Sequence, residues 1–461
     1  MVEQKRDQDS DTIAAIATAP GLAGIGIVRL SGPEALRIAE TLFQGERKPS
    51  GMKGFEAGYG WIKDGGEKLD EAILLVMRAP KSYTRQDVAE FQCHGGPVAL
   101  RRVLEAVLRA GARLAEPGEF TKRAFLAGRI DLAQAEAVAS LVFAQTSASA
   151  RAALRGLSGE LGNKIKIIRR ELMNLLADLE AGLDFAEEEI EFVSRERVRE
   201  HLERNLEQMT ELCRRAQAGM ILSEGVKLVI AGKPNVGKST LMNALLERDR
   251  VIVTPHPGTT RDVVEELINL GGVPVRLSDT AGIRDDAEEI EKEGVAKSRK
   301  AIQEADLVLL MLDASEPISE YDRKLIEEIK GIKKLTLVNK IDLKKKLDLR
   351  ELGDLTGDQI LEISAKLGTG LDDLRKRIQE MIWKGELAGE DALVSSARQM
   401  EFLKQAQSQI DLALKALAQN LSEEFIAAEL RKAIQALNQL SGEALTEEML
   451  NLIFSKFCVG K

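Results

Sequence analysis

The run Gly232-Lys233-Pro234-Asn235-Val236-Gly237-Lys238-Ser239 has the residue types and spacing of a phosphate-binding loop. Gly232 and Gly237 free the backbone to turn successive N–H groups inward around anionic oxygens, at the positive end of the helix that follows. Lys238 is then placed to meet the β- and γ-phosphates of a nucleotide, and the Ser239 hydroxyl to ligate Mg²⁺. Asp279-Thr280-Ala281-Gly282 suits an aspartate aimed at that metal and a glycine N–H that senses the γ-phosphate. Asn339-Lys340-Ile341-Asp342 offers a carboxylate that accepts from both guanine N1–H and the 2-amino group, a pairing adenine cannot make. Ser364-Ala365-Lys366 completes a base pocket, so the nucleotide expected here is GTP.

These runs can converge only if each sits at the end of a strand. Apolar stretches stand where that requires them, at 226–230, 273–277, 335–338 and 361–363, with a helix expected from Thr240. Their order predicts a Ras-like, doubly wound parallel sheet over residues 223–384. Thr240 continues the phosphate loop. A switch stretch, Thr254-Pro255-His256-Pro257-Gly258-Thr259-Thr260, offers Thr260 as the second hydroxyl ligand of Mg²⁺. Where Ras-like enzymes carry a glutamine that orients the attacking water, this chain has Ile283, and an alkyl side chain cannot do that work. Arg284, Asp285, Asp286, Glu288, Glu289, Glu291 and Glu293 lie nearby. The residues alone do not choose among them, and for each a solvated surface position is the simpler reading.

The chain has 461 residues, which implies two or three domains. A formal charge of −9 advertises no overall basic field for nucleic acid, so RNA would need a local patch or a second protein. Cys93, Cys213 and Cys458 are too few and scattered for a disulfide framework. The first residues resemble neither a signal nor a transit peptide, and no apolar run would span a bilayer, so a cytoplasmic location is expected. Residues 1–121 read as α/β, with strands at 12–17, 24–30, 72–76 and 88–92 and helices at 33–43 and 97–110. The turns Cys93-His94-Gly95-Gly96 and Pro117-Gly118-Glu119-Phe120 read first as tight loops, with His94 a structural hydrogen bonder. Residues 122–222 turn to Ala, Leu, Glu and Arg at helical spacing, and a similar composition returns in 385–461. The nucleotide-binding domain therefore reads as an insertion into a split helical domain, with an independent C-terminal helical module as the competing reading. The acidic run at 187–191 is most simply a solvated helix face.

Six stretches together resemble the MnmE (TrmE) family of tRNA modification GTPases: Asp11 to Thr18, Gly26 to Gly32, Cys93 to Gly96, Pro117 to Thr121, Asp131 to Ala137 and the tail Phe457-Cys458-Val459-Gly460-Lys461. The resemblance covers essentially the whole chain. It implies an N-terminal folate-binding and dimerising domain and a homodimer. It also implies an FAD-dependent GidA-type partner, joined in a heterotetramer or larger complex. The implied reaction puts an aminomethyl or carboxymethylaminomethyl group on C5 of the wobble uridine of certain tRNAs, the carbon coming from 5-formyl- or 5,10-methylene-tetrahydrofolate. Positions matching the family's folate contacts are Arg29, Glu90, Arg129 and Lys461. Arg129 stands where lysine is usual and Ala127 where asparagine is usual. The family replaces an arginine finger with K⁺, whose ligands match Asn235, Thr254, His256 and Thr259, and its water-orienting acid matches Glu291. Cys458 is a possible nucleophile, but a structural or folate-adjacent role comes first because no base can be placed beside it. Val459 and Gln399 stand where isoleucine and histidine are usual. A ribosome-assembly switch or a GTP-dependent scaffold would be the competing classes. No basic RNA-binding module follows residue 385, and neither class explains the first-domain motifs.

Overall fold

A computed structural model of the chain describes residues 11–184, 194–249, 265–279, 299–357, 359–383, 392–393 and 396–460, with 265 and 279 described by backbone alone. It divides into two units. The first comprises Met1–Ala139, Gly162–Val198 and Leu412–Lys461; the second comprises Ser140–Leu161 and Arg199–Asp411.

In the first unit β1 (Ile13–Ile16), β2 (Ala23–Ser31), β3 (Phe43–Gly45), β4 (Glu56–Asp64), β5 (Glu67–Met77), β6 (Val88–Gly95) and β7 (Arg113–Leu114) form one sheet in the order β3-β4-β5-β6-β2-β1-β7. Neighbours run antiparallel except β1 and β7. Strand alternation separates its faces. Val28, Leu30, Leu74, Val76 and Phe91 point one way, into a core closed by Ile38 of α1 (Ala35–Leu42) and Val103 and Val107 of α2 (Pro97–Arg109). Arg29 and Glu90 point the other way and stand directly opposite each other in the register. The strands and helices expected near the N-terminus are present. β4 is the long strand that periodicity overlooks, because Gly58 and Gly60 replace residues that favour strands.

Behind this sheet α3 (Glu119–Leu126) is fastened by buried charge. Glu119 accepts from Arg113 Nη2 at 2.7 Å, from Arg123 Nη2 at 2.9 Å and from the Glu116 N–H at 2.8 Å, and Arg123 also reaches Asp11 at 2.6 Å. Burial raises the Glu119 pKa, but Arg113, the Glu116 N–H and Arg123 outweigh it and hold the carboxyl below its ordinary value of 4.5. α4 (Leu132–Val142), α5 (Ser147–Leu157), α6 (Glu160–Asp184) and α7 (Arg195–Glu224) follow in the chain.

The second unit holds a sheet of β8 (Val226–Ala231), β9 (Glu265–Leu270), β10 (Val273–Asp279), β11 (Leu307–Asp313), β12 (Lys334–Asn339) and β13 (Ile360–Glu362), in the order β13-β12-β11-β8-β10-β9. It is parallel except for the β9–β10 hairpin. All seven residues of β11 are buried, as befits a central strand covered on both faces. Leu309 and Met311 face a core shared with α8 (Lys238–Asp249) and α11 (Leu371–Trp383), while Val308 and Leu310 face one shared with α9 (Glu320–Glu328) and α10 (Leu349–Thr356). The first helix after the phosphate loop begins at Lys238, two residues earlier than expected, so Lys238 and Ser239 lie in its first turn.

Helices from before and after this sheet meet within each unit. In the second, Gln407 of α12 (Ala397–Ala418) donates to Thr210 of α7 at 2.8 Å. In the first, Arg431 of α13 (Glu423–Ser441) pairs with Glu180 of α6 at 2.7 Å, and Glu443 just beyond α13 pairs with Arg169 of α6 at 2.7 Å. The architecture is thus multidomain, an α/β N-terminal sheet and a split set of helices interrupted by a doubly wound α/β sheet. α14 (Glu447–Phe454) packs Leu450 and Phe454 against Ala124 of α3 and Leu132 and Ala135 of α4.

Replacing Glu119 with glutamine should lower the stability of the first unit by roughly 1–3 kcal/mol at neutral pH, because Asp11 still pairs with Arg123. A depressed carboxyl contributes stability above its ordinary value and loses it as pH falls through the folded value. The gap between parent and Glu119→Gln in urea unfolding should therefore shrink on acidification below 4.5. A gap that is constant with pH would refute the electrostatic account.

Candidate functional site

The phosphate loop leaves β8 and enters α8, and two side chains from the far side of the sheet organise it. Asn339, at the end of β12 and almost fully buried, donates from Nδ2 to the Val236 carbonyl at 2.8 Å and accepts at Oδ1 from the Ala365 N–H at 2.9 Å. One amide thus ties the phosphate loop to the base-pocket loop. It fits because residue 237 is glycine. At φ +107° a side chain would be strained, and a Cβ there would stand 2.4 Å from Asn339 Nδ2.

Lys340, the next residue, donates from Nζ to the Asn235 carbonyl at 2.8 Å and to Asp313 at 2.6 Å. Asn235 itself adopts a left-handed conformation, φ +61°, in the middle of the loop. Burial raises the Asp313 pKa, but Lys340 and Ser315 more than offset it, so the carboxylate is held below its ordinary value. Asp313 was not legible as a site residue; its signal was only an aspartate closing the apolar run of β11.

Lys238 is buried, and its Nζ donates to the carbonyls of Gly232 at 2.8 Å and Lys233 at 3.0 Å. An ammonium folded onto the loop in this way sits over the hollow where phosphate oxygens would replace those carbonyls as acceptors. Ser239 and Thr240 are exposed in the first turn of α8. Asp279 ends β10, in register with Ile230 beside the phosphate loop.

At the base end, Ser364 donates from Oγ to Asp342 Oδ1 at 2.7 Å. That bond, reinforced by Lys366 and Lys340, holds the exposed Asp342 carboxyl below its ordinary value. Ala365 is buried and Lys366 exposed. The structure therefore brings Asn235, Val236, Gly237, Lys238, Asn339, Lys340, Asp342, Ser364 and Ala365 together. Thr254, Pro255, His256, Pro257, Gly258, Thr259, Thr260, Thr280, Ala281, Gly282, Glu291 and Lys461 lie outside the described residues, as does the side chain of Asp279.

A second constellation lies on the N-terminal sheet. Arg29 Nε donates to Glu90 Oε1 at 2.6 Å, and Arg29 Nη1 donates to the Gly460 carbonyl at 3.2 Å. The tail is anchored further by the Gly118 N–H, which donates to the Cys458 carbonyl at 3.2 Å. Gly460 has φ +91°, and a Cβ would stand 2.5 Å from the Ile16 carbonyl, so the glycine is what lets the tail lie against β1. The Arg29 guanidinium lies 5.7 Å from the Phe120 ring centre and that of Arg129 4.7 Å from Tyr83, and these two rings share one small apolar cluster. Two cations thus stand beside aromatic rings, and the almost fully buried Glu90 carboxylate pairs with one of them. Nothing in the sequence singles out Phe120 and Tyr83 as neighbours of these arginines.

His94 is exposed on β6 and hydrogen-bonds Asp70 at 2.7 Å, which raises the imidazole pKa. Cys93 is buried, and burial with Asp70 pushes its thiol up to about 12. Cys458 is half-buried and carries a free thiol, as do Cys93 and Cys213. Gln399 is buried at the start of α12. Among the described residues there is no group of three or more Cys, His, Asp or Glu side chains placed to hold a metal, and no helix long and apolar enough to cross a membrane.

Comparison with known proteins identifies the family. Residues 12–129 match the family described as GTP-binding protein TrmE N-terminus, and residues 132–458 match the MnmE helical domain. The tRNA modification GTPase MnmE of Thermoanaerobacter pseudethanolicus is 45% identical over 457 residues, covering 98% of this chain and 99% of the relative. That of Symbiobacterium thermophilum is 46% identical over 456 residues with the same coverage, and that of Acetivibrio thermocellus 42% identical over 455. The chain belongs to the MnmE (TrmE) family of tRNA modification GTPases.

Proposed function

We propose that this GTPase uses GTP hydrolysis to drive installation of an aminomethyl or carboxymethylaminomethyl group on C5 of the wobble uridine of certain tRNAs. It would act in the cytoplasm, as a homodimer joined to an FAD-dependent GidA-type protein. The observation that carries the reading is the presence in one chain of the Asn339-tied nucleotide site and the Arg29–Glu90–Gly460 constellation. A switch or scaffold would need only the first.

In the nucleotide site, Lys238 releases the Gly232 and Lys233 carbonyls and turns to the β- and γ-phosphates, beside the N–H groups of residues 235–240. Asp342 accepts from the guanine edge, held in line by Ser364, and Asn339, Lys340, Ala365 and Lys366 wall the base. Ser239 and Thr260, with Asp279 behind them, would hold Mg²⁺, which when bound neutralises the β,γ-oxygens. Asn235, Thr254, His256 and Thr259 would hold K⁺, which supplies the positive charge that other GTPases take from an arginine. Thr254 to Thr260 and Thr280 to Gly282 form the switches, and Glu291 orients the attacking water in place of the missing glutamine. In the N-terminal domain, residues 1–121, Arg29, together with Arg129 and Lys461 from outside those bounds, would meet the carboxylates of a tetrahydrofolate and Glu90 its amino-pteridine edge. That cofactor supplies the one-carbon unit as its 5-formyl or 5,10-methylene form. Residues 122–222 and 385–461 would form the helical domain around the GTPase domain of 223–384. Cys458 is read as part of the tail's docking.

Three outcomes are expected. Asp342→Asn should weaken GTP binding by about a hundredfold or more, since it loses charged hydrogen bonds worth roughly 1.5–3 kcal/mol each, and should bind xanthosine triphosphate instead; titration with both nucleotides measures it, and unchanged GTP affinity would refute the base-pocket assignment. GTP turnover should be faster in K⁺ than in Na⁺, rise with protein concentration, and collapse in Glu291→Ala. Equal rates in both salts with an unimpaired variant would sink the cation-bridged mechanism. Glu90→Gln should cut 5-formyl-tetrahydrofolate affinity about tenfold or more while sparing GTP turnover, by loss of one charged hydrogen bond; calorimetry decides, and full retention would remove Glu90 from the site.

A further inference from the structure

The β9–β10 hairpin sits between the two switch stretches in the chain. β9 begins at Glu265, shortly after Thr260, and β10 ends at Asp279, immediately before Thr280-Ala281-Gly282. β10 is hydrogen-bonded on its other side to β8, the strand that carries the phosphate loop. Whatever holds the tip of this hairpin therefore holds the two strands that follow the first stretch and lead into the second.

The tip is held by α5, a helix that belongs in sequence to the helical segment. Thr146, its N-cap, is buried, and its Oγ1 donates to the Gly272 carbonyl at 2.7 Å. The partners of that hydroxyl leave little freedom. It accepts from the Ser149 N–H at 3.1 Å, and of the two acceptors within reach of its one proton the Gly272 carbonyl at 2.7 Å is nearer than Ser149 Oγ at 3.0 Å. Ser149 Oγ in turn accepts from the Thr146 N–H at 2.9 Å and donates to the Thr146 carbonyl at 2.8 Å, closing a capping box. Ala148 abuts Gly272, and Ala148 and Ala152 pack on the core beneath the sheet. Gln379 of α11 lies against Gly271, and Asn269 Oδ1 accepts from the Gly272 N–H at 2.8 Å. One hydroxyl thus starts a helix and grips the hairpin.

We propose that Thr146 is a positioning residue that couples nucleotide state to the helical segment: its hydroxyl fixes the β9–β10 hairpin to α5, so that rearrangement of the switches on GTP binding is felt at the start of that helix. The coupling is reciprocal, since a linkage of this kind carries free energy equally in both directions. It rests on the GTP-site assignment above.

The test is amide hydrogen exchange of α5 in the full-length protein, with and without the non-hydrolysable analogue GMPPNP and Mg²⁺, alongside calorimetric binding of that analogue. In the parent, exchange at 147–157 should change by about fivefold or more on binding, the lower end for coupled sites. Thr146→Ser keeps both roles of the hydroxyl and should keep that response. Thr146→Asp still caps the helix but has no proton for Gly272, so α5 should remain protected without nucleotide and lose its response to it. Thr146→Val loses both. If the aspartate variant responds like the parent, or if the parent binds the analogue with no change at α5, the proposal is overturned. Failure of the parent to bind the analogue at all would instead remove the GTP-site assignment, and this proposal with it.

Discussion

The side-chain amide of Asn339 is the bond on which the nucleotide site depends. A buried amide must satisfy both its donor and its acceptor, and here it does so on two different loops, the Val236 carbonyl and the Ala365 N–H. Phosphate recognition and base recognition are built at the ends of different strands, so a single rigid link between them sets the span that the nucleotide must match. Aspartate in its place would set a carboxylate against the Val236 carbonyl, and serine would be too short to reach both loops. Gly237 is the matching constraint, since any side chain there would occupy the space of the amide nitrogen. Lys340 adds a second link from the same turn to Asn235, with Asp313 holding its ammonium in place.

The N-terminal site depends on charge in a different way. The guanidinium of Arg29 is shared between Glu90 on the neighbouring strand and the carbonyl of Gly460 at the far end of the chain. Each partner leaves the other incomplete: without the tail one face of Arg29 is unpaired, and without Glu90 the cation would be half-buried beside Phe120 with no counter-charge. The same economy recurs in α3, where Glu119 and Asp11 divide two arginines between them. Those networks place α3 and its aromatic residue Phe120 beside Arg29, which is why a sheet, a helix and the tail, far apart in sequence, meet.

The insertion of one α/β sheet between helices has a structural reading in the pairs that bridge it. α6 and α13 are tied by Arg431 to Glu180, and α7 and α12 by Gln407 to Thr210, so segments before and after the inserted sheet touch within each unit. α5 departs from that pattern. It is helical by composition and lies among the helical segments in sequence, yet its N-cap serves the hairpin of the nucleotide sheet.

The glycine-rich loop between β8 and α8, the meeting of the Asn339–Asp342 and Ser364–Lys366 turns and the doubly wound sheet were legible in the sequence because they rest on local requirements. Glycines mark the turns, apolar runs mark buried parallel strands, and the chemistry of a guanine edge admits few partners. The same locality made the helical segments readable and left β4 unread, since Gly58 and Gly60 carry no strand signal of their own and are held by pairing with Leu74, and with Gly45 and Ala72, on neighbouring strands. What only the tertiary structure decided are contacts between residues distant in sequence: Asp313 beneath Lys340, Asn339 across to Ala365, Phe120 and Tyr83 beside two arginines, and Thr146 on Gly272. Each involves a common residue type whose role depends on what folding brings within hydrogen-bond or van der Waals reach, and that distance is a property of the fold rather than of spacing along the chain.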